Sequence, residues 1–207
     1  MSVIAAYYYK EGKRIREIAL DERFEQDEAR SGFCWIALRE PSADELHTLQ
    51  AAYHLHPLAV DNAMHPLCPP KLEVYNDELY IVAQTAELVG DKISYGKTAI
   101  FTGHNHLITA RHGNGGALGN LREQLEASPT LLGKGVDYVL HAILHRIVDQ
   151  YLPIFEMIED DVLEMEKRSI DDFLGRDEVA RIFSLRGELT RFQRTLGAMA
   201  ELVRKLV

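Results

Sequence analysis

The chain has 207 residues, an ordinary globular composition and a formal net charge of −9 at pH 7. This length allows one domain with a sizeable core plus an appendage, or two small domains. The charge excludes nucleic acid as the main partner, because counterion release needs clustered Lys and Arg, and the basic residues here are interleaved with acids. With two cysteines, no secretory signal and no run of 18 apolar residues, the sequence predicts a reducing, cytoplasmic setting.

The first half of the chain predicts mixed strands and helices. Alternating apolar residues and β-branched runs between turn residues predict seven strands, at 3–9, 14–20, 33–38, 72–75, 79–87, 93–101 and 106–111. Ser42 and Glu45 form a capping-box pattern that predicts a helix over 42–53, and Pro57 begins a short second helix. Residues 117–127 predict a third helix, which ends at Pro129.

The apolar period becomes helical after Gly135. One apolar stripe predicts a helix of some 35 residues that bends near Pro153, and its members are Leu140, Leu144, Ile147, Tyr151, Phe155, Ile158, Val162 and Met165. A turn at 171–176 leads to a last helix. The apolar positions of that last helix are Val179, Ile182, Phe183, Leu189, Phe192, Leu196, Met199, Val203 and Leu206. Since this stripe is still running at Val207, we expect the helix to continue into a further segment of a longer protein.

The two long helices carry opposite charges. Residues 149–178 contain eleven acids and three bases, whereas residues 181–205 contain six bases and two acids. An antiparallel arrangement lets these charges complement each other, with Arg191 in an exposed ion pair and Phe192 buried on the facing stripe.

Carboxylates are the most suggestive candidate ligands. Asp61 lies at the end of the short second helix, and five acids crowd two turns of the first long helix: Glu156, Glu159, Asp160, Asp161 and Glu164. A hard cation such as Mg²⁺ takes oxygen ligands and keeps most of its waters, so one or two carboxylates on each side of a crevice can hold it. An acidic run of this kind is more commonly a solvated or salt-bridged helix face.

Histidine pairs offer a different interpretation, a zinc hydrolase. His141 and His145 are four residues apart on a helix, and His104 and His106 form another pair, but neither has further ligands at a recognisable spacing. The glycine-rich residues 113–116 lack a phosphate-binding pattern, and Cys34 is most simply a small buried apolar residue. The sequence therefore predicts no enzyme.

Specific strings in a fixed order resemble the cytoplasmic domain of the CorA family of divalent-cation transporters. They are FCWIAL (33–38), PSADE (41–45), YHLHPLAVD (53–61), PKLEVY (70–75) and LYIV (79–82). Further on, HLIT (106–109), VDQYLP (148–153) and LRGEL (185–189) resemble a strand, the first long helix and the start of the stalk of that family. The resemblance covers nearly the whole chain.

The resemblance implies an α/β/α sandwich with a mixed central sheet in residues 1–132. Long antiparallel helices in residues 133–207 would lead into a stalk. The full-length protein would be a homopentamer of identical subunits in the inner membrane, with this chain on the cytoplasmic side. Only segments beyond Val207 would contact the membrane, including the Gly-Met-Asn selectivity signature.

The resemblance also implies a weak regulatory Mg²⁺ site between neighbouring subunits, whose occupancy favours the closed state. Asp61 matches the first residue of the family's acidic pair, and the second position is Asn62, which offers an oxygen without a charge. The family's stalk acids would lie beyond Val207, so the candidates on this chain's helices are Asp160, Asp161 and Glu164. Zn²⁺ and Co²⁺ are the alternative ions.

Two further alternatives stay open. The zinc-transporting ZntB branch of the family fits the nine histidines. A helical oligomerisation module with an α/β cap predicts the same long helices but no response to Mg²⁺.

Overall fold

A computed structural model describes residues 2–22, 32–65, 68–90, 92–113, 118–171 and 175–206, with the backbone alone at 169–171. The strands are β1 (Val3–Lys10), β2 (Lys13–Glu17), β3 (Gly32–Arg39), β4 (Lys71–Tyr75), β5 (Glu78–Val89), β6 (Lys92–Thr102) and β7 (His106–Gly113). The helices are α1 (Ala43–Tyr53), α2 (Pro57–Met64), α3 (Leu121–Glu126), α4 (Pro129–Leu132), α5 (Val136–Asp149), α6 (Tyr151–Asp171) and α7 (Arg176–Arg204). All seven predicted strands are confirmed, although β2 ends three residues early.

The strands form one mixed sheet in the order β2-β1-β3-β7-β6-β5-β4. Among the described strands, the central pair β3 and β7 is the parallel one, with Cys34 opposite His106 and Arg39 opposite Arg111. The other pairs are antiparallel. The mixed central sheet is therefore confirmed.

Each face of the sheet carries its own apolar core. One core joins the sheet to α1 and α2 through residues such as Leu46, Leu49 and Val60. The other joins the sheet to α3, α5, α6 and α7, where Ile143, Ile154 and Phe192 are buried. Because alternate residues of a strand point to opposite faces, single strands supply both cores, and the α/β/α sandwich is confirmed.

The helix starts follow the local signals. At α1 the Ser42 hydroxyl accepts from the Glu45 amide and the Glu45 carboxylate accepts from the Ser42 amide at 2.8 Å, which confirms the capping box. At α2 the ring of His56 caps the helix, with Nδ1 accepting from the Leu58 amide at 3.3 Å. The third predicted helix is shorter than expected, since α3 begins at Leu121, and residues 114–117 lie outside the described residues. Pro129 begins the one-turn helix α4, which the sequence did not predict.

The predicted 35-residue helix is two helices, α5 and α6, separated at Gln150. Pro153 has no amide proton to donate to the Asp149 carbonyl, and its ring crowds that carbonyl. The break also changes which side chains face the core. Ile154 is buried, whereas Phe155, which the unbroken stripe placed inside, is 55% exposed.

The domain boundary predicted at 132/133 lies between α4 and α5. The helices α6 and α7 are antiparallel, as predicted. Arg181 near the start of α7 contacts Asp161 near the middle of α6, and Phe192 further along α7 contacts Tyr151 at the start of α6. The stripe on α7 is only partly correct. Phe192 and Met199 are buried, but Leu185 and Leu202 complete the buried face, while six predicted stripe positions are exposed: Val179, Ile182, Phe183, Leu189, Leu196 and Val203.

The expected ion pair of Arg191 with the acidic helix is wrong. Its guanidinium carbon lies 3.9 Å from the centre of the Tyr95 ring, on β6. At that point of α7 the sheet, and not α6, is the neighbour.

Candidate functional site

Asp61 lies in the last turn of α2, where its side chain is 63% exposed. The carboxylate oxygen Oδ2 is 3.6 Å from Nε2 of His65, one helical turn further on. Two oxygens that face solvent from a packed helix are available to a hydrated divalent cation.

The buried residue Lys97 holds the end of α2 in place. Its ammonium group, on β6, donates to the carbonyls of Asn62 at 3.0 Å, Ala63 at 2.9 Å and His65. These are carbonyls that the end of a helix leaves without partners, and a cation is favourable there. Burial lowers the pKa of Lys97, and the three carbonyls compensate its positive charge.

Asn62 contributes its backbone to this arrangement. Its carbonyl accepts from Lys97, so the peptide next to Asp61 is fixed with respect to the sheet. Lys97 was missed by the sequence analysis, because an isolated lysine in a strand is usually solvent-exposed. The one signal in the sequence that Lys97 is buried was the apolar character of the strands on either side of β6, namely β5 and β7.

Arginines bind two of the three candidate acids on α6. Arg181 donates to Asp161 Oδ1 at 2.5 Å and to Glu164 Oε2 at 3.4 Å, and Arg168 donates to Glu164 at 2.5 Å. Asp160 is exposed and has no ion-pair partner among the described residues. Within one chain, two of these three carboxylates are therefore neutralised by arginine and Asp160 is available.

Asp61 and the α6 acids lie on opposite sides of the sheet. The buried residues of α2 belong to one core and those of α6 to the other. In the described part of the chain, no three His, Cys, Asp or Glu side chains are grouped so that they could hold a metal ion. The site made by Asp61, Asn62, Asp160, Asp161 and Glu164 stays a prediction.

The histidine pairs have structural surroundings. The rings of His141 and His145 are 5.9 Å apart, and His145 Nδ1 is 3.1 Å from Asp149 Oδ2. His106 is 5% exposed, and burial lowers its pKa to about 4. Cys34 is fully buried, as predicted, and burial raises the pKa of its thiol to about 12.

Two solved structures share this fold. The soluble domain of CorA from Methanocaldococcus jannaschii has a TM-score of 0.74 at 22% identity, over 98% of this chain and 78% of that one. The ZntB cytoplasmic domain from Vibrio parahaemolyticus has a TM-score of 0.74 at 14% identity, over 99% of this chain and 79% of that one. At these identities the likeness is one of fold.

The sequence match defines the family. A family model described as "CorA-like Mg2+ transporter protein" matches residues 30–207. The chain belongs to this CorA-like family of transporters. A relative, "Putative metal ion transporter YfjQ" of Bacillus subtilis, is 27% identical over 186 residues, which are 90% of this chain and 57% of that protein. The chain thus spans little more than half the length of this relative. Within the described ranges of the present chain, no helix is long and apolar enough to cross a membrane.

Proposed function

We propose that this chain is the cytoplasmic sensing and gating part of a CorA-type transporter of divalent cations, most simply Mg²⁺. Mg²⁺ held between subunits by Asp61, with the amide oxygen of Asn62, would favour the closed state. Membership of the CorA-like family supports the transport role. The geometry around Asp61 supports the regulatory role.

The observation that carries the proposal is the separation of the two acidic regions. Asp61 is exposed on a helix end fixed by Lys97, and α6 packs on the other face of the sheet. Because one chain cannot bring these carboxylates together, a cation that uses both must lie between copies. Of the three candidate acids on α6, Asp160 is exposed and without an arginine, so it is available to a neighbouring copy.

The outer side of α7 supports assembly from identical subunits. Ile182, Leu189, Leu196 and Val203 recur every seven residues and are between 36% and 45% exposed. Leu185, Phe192 and Met199, which recur at the same interval, are buried against the rest of the chain. In such a heptad pattern, one row of apolar residues packs inside the subunit and the other row is exposed. This is typical of a helix that also packs against a partner. We propose that the partners are further copies, arranged as a pentamer.

The proposed switch is electrostatic. Two carboxylates about 4 Å apart at an effective dielectric constant of about 20 repel by roughly 4 kcal/mol before screening. A bound cation removes this repulsion, and the loss of the cation restores it at each interface of the ring. The summed change is large enough to shift an equilibrium whose states differ by a few kcal/mol.

Sedimentation of the purified chain with and without millimolar Mg²⁺ tests the proposal. Mg²⁺ should increase self-association of the wild type, whereas Asp61→Asn should lose most of this response. Asp137→Asn, which removes an exposed acid at the start of α5, is the matched control and should respond like the wild type. An equal response of all three proteins would remove Asp61 from the site, and no response of any would refute inter-subunit sensing. A response to Zn²⁺ but not to Mg²⁺ would move the proposal to the zinc branch.

A further inference from the structure

A cleft of about 360 Å³ is lined by residues of β5, β6 and β7, by Cys68 and Pro69 before β4, and by Arg191 of α7. Three residues around it carry or can acquire a positive charge, namely Lys97 on β6, His112 on β7 and Arg191 on α7. No carboxylate is among its lining residues in the described part of the chain. Glu40, which lies beside His112, offsets one of these charges, and the remaining basic groups favour an anion on a chain with a net charge of −9.

The floor of the cleft is built from two cross-strand rows. Gln84, Lys97 and His112 are paired across β5, β6 and β7, so their side chains form one row. The next row pairs Gly96 with Gly113, whose backbones also line the cleft. Gly113 has φ +84°, and a Cβ there would lie 2.9 Å from the Gly96 Cα, so the position requires glycine.

Unused hydrogen-bonding groups surround this floor. His112 Nδ1 lies 3.1 Å from Glu40 Oε2, while His112 Nε2 is buried and has no partner among the described residues. The hydroxyl of Tyr95, also a lining residue, is likewise buried without a described partner. A buried polar group without a partner is costly, so each of these atoms would gain from a ligand that hydrogen-bonds to it.

Arg191 supplies an exposed positive charge. Its guanidinium lies over the Tyr95 ring, and no carboxylate in the described ranges is within ion-pairing distance of it. The nearby acid Glu188, three residues before Arg191 on α7, does not line the cleft. The planar guanidinium matches two oxygens of a phosphate at once, and a protonated imidazole donates from Nε2 as well. The ammonium of Lys97, engaged by three carbonyls, contributes its charge rather than a hydrogen bond.

We propose that this cleft binds a phosphate-type oxyanion, either free phosphate or the phosphate end of a small metabolite. Arg191, His112 and the Tyr95 hydroxyl would be its direct contacts. The volume is at the lower end of the range for small-molecule sites and leaves room beyond one phosphate group. The bound anion would join α7 to the sheet. This inference does not depend on the proposed cation site, which lies at Asp61.

Thermal melting without divalent cations, at constant ionic strength, tests the site. Replacing chloride by phosphate should raise the melting temperature of the wild type in a saturable way, because a ligand of the folded state stabilises it by mass action. Arg191→Gln should weaken the apparent phosphate affinity at least tenfold. Arg194→Gln changes an exposed arginine of α7 that does not line the cleft, so it should match the wild type.

An amide NMR titration of the wild type with phosphate provides a second measurement that needs no variant. The amides of Gly96 and Gly113 should shift, and an absence of shifts there would place any phosphate elsewhere. A second titration uses ribose 5-phosphate in place of phosphate. If ribose 5-phosphate binds more tightly than phosphate, the ligand of the cleft is a phosphorylated metabolite. If the two bind equally, the ligand is free phosphate. The proposal is overturned if chloride stabilises as well as phosphate does, or if Arg191→Gln responds like the wild type.

Discussion

Tyr151 and Phe192 meet edge to face across the two long helices, with ring centroids 5.9 Å apart and ring planes at 81°. Tyr151 is the first residue of α6, and Phe192 lies beyond the middle of α7. The Tyr151 hydroxyl also donates to the carbonyl of Gln84 on β5. This contact therefore joins α6, α7 and the sheet at one point.

Phe192→Ala should destabilise the chain by about 3–5 kcal/mol, because it opens a cavity in a packed core. Phe192 is 2% exposed, whereas Phe183 on the same helix is 66% exposed. Phe183→Ala is therefore the matched control, with an expected cost below about 0.5 kcal/mol. Urea denaturation of the three proteins gives the comparison. Equal costs for the two variants would show that α7 does not pack on α6 and the sheet in solution.

Lys97→Met should destabilise the chain by about 2 kcal/mol, since it leaves carbonyls at the end of α2 without a donor. Lys92→Met changes an exposed lysine of the same strand and should be nearly neutral. Denaturant melts measure both. The same Lys97 variant should weaken the Mg²⁺ response proposed for Asp61, because the helix end that carries the carboxylate is no longer fixed. A variant as stable as the wild type would show that the three carbonyls find water instead.

Most of the fold was predictable because its signals are local. Strand alternation, the capping box at Ser42 and the helix-starting Pro57 act over a few residues, and the structure contains each of them. In the long helices, the sequence did not reveal in the same way which side chains face the core. A break at Gln150 turns Ile154 inward in place of Phe155, and a stripe cannot reveal which of two apolar rows on α7 meets the core.

The site was predictable only in part. Asp61 and the α6 acids could be proposed from residue type and resemblance, but their separation by the sheet is a tertiary fact. Lys97 depends on contacts with residues more than 30 positions away, and Arg191 on a strand far from it along the chain. No periodicity or spacing within a short window could reveal either of these contacts.

The chain should be monomeric or weakly associated at micromolar concentration without Mg²⁺. The exposed row on α7 offers one partly exposed apolar residue every two turns, such as Leu189, which is 45% exposed. A stable interface usually buries more than about 1,000 Å² with good complementarity, so we expect a row one residue wide to hold copies together only weakly. Sedimentation velocity measures the distribution. A stable pentamer under these conditions would show that the present chain holds the ring by itself.

The buried imidazole of His106 should make folding sensitive to mild acid. Its Nδ1 lies 3.3 Å from Asn105 Oδ1, and Nε2 has no hydrogen-bond partner in the described ranges, with Glu78 Oε1 3.7 Å away. Burial lowers the pKa of His106 from 6.5 to about 4. Between these values the unfolded chain binds a proton that the folded chain does not, so the free energy of unfolding falls as the pH falls through this range.

Between pH 7 and pH 5 this loss should be on the order of 2 kcal/mol, at about 1.4 kcal/mol per pH unit below the unfolded pKa. This window avoids Glu40 and Glu45, whose pKa values are lowered by hydrogen bonds and whose stabilising effect is lost only at lower pH. Urea melts at both pH values should show the loss in the wild type and in His104→Gln, an exposed neighbour, but not in His106→Gln. Burial raises the pKa of Glu78, so protonation of that carboxyl opposes the loss, and Glu78→Gln should make the dependence steeper. If His106→Gln loses as much stability as the wild type, the proton enters elsewhere and the buried imidazole is not the sensitive group.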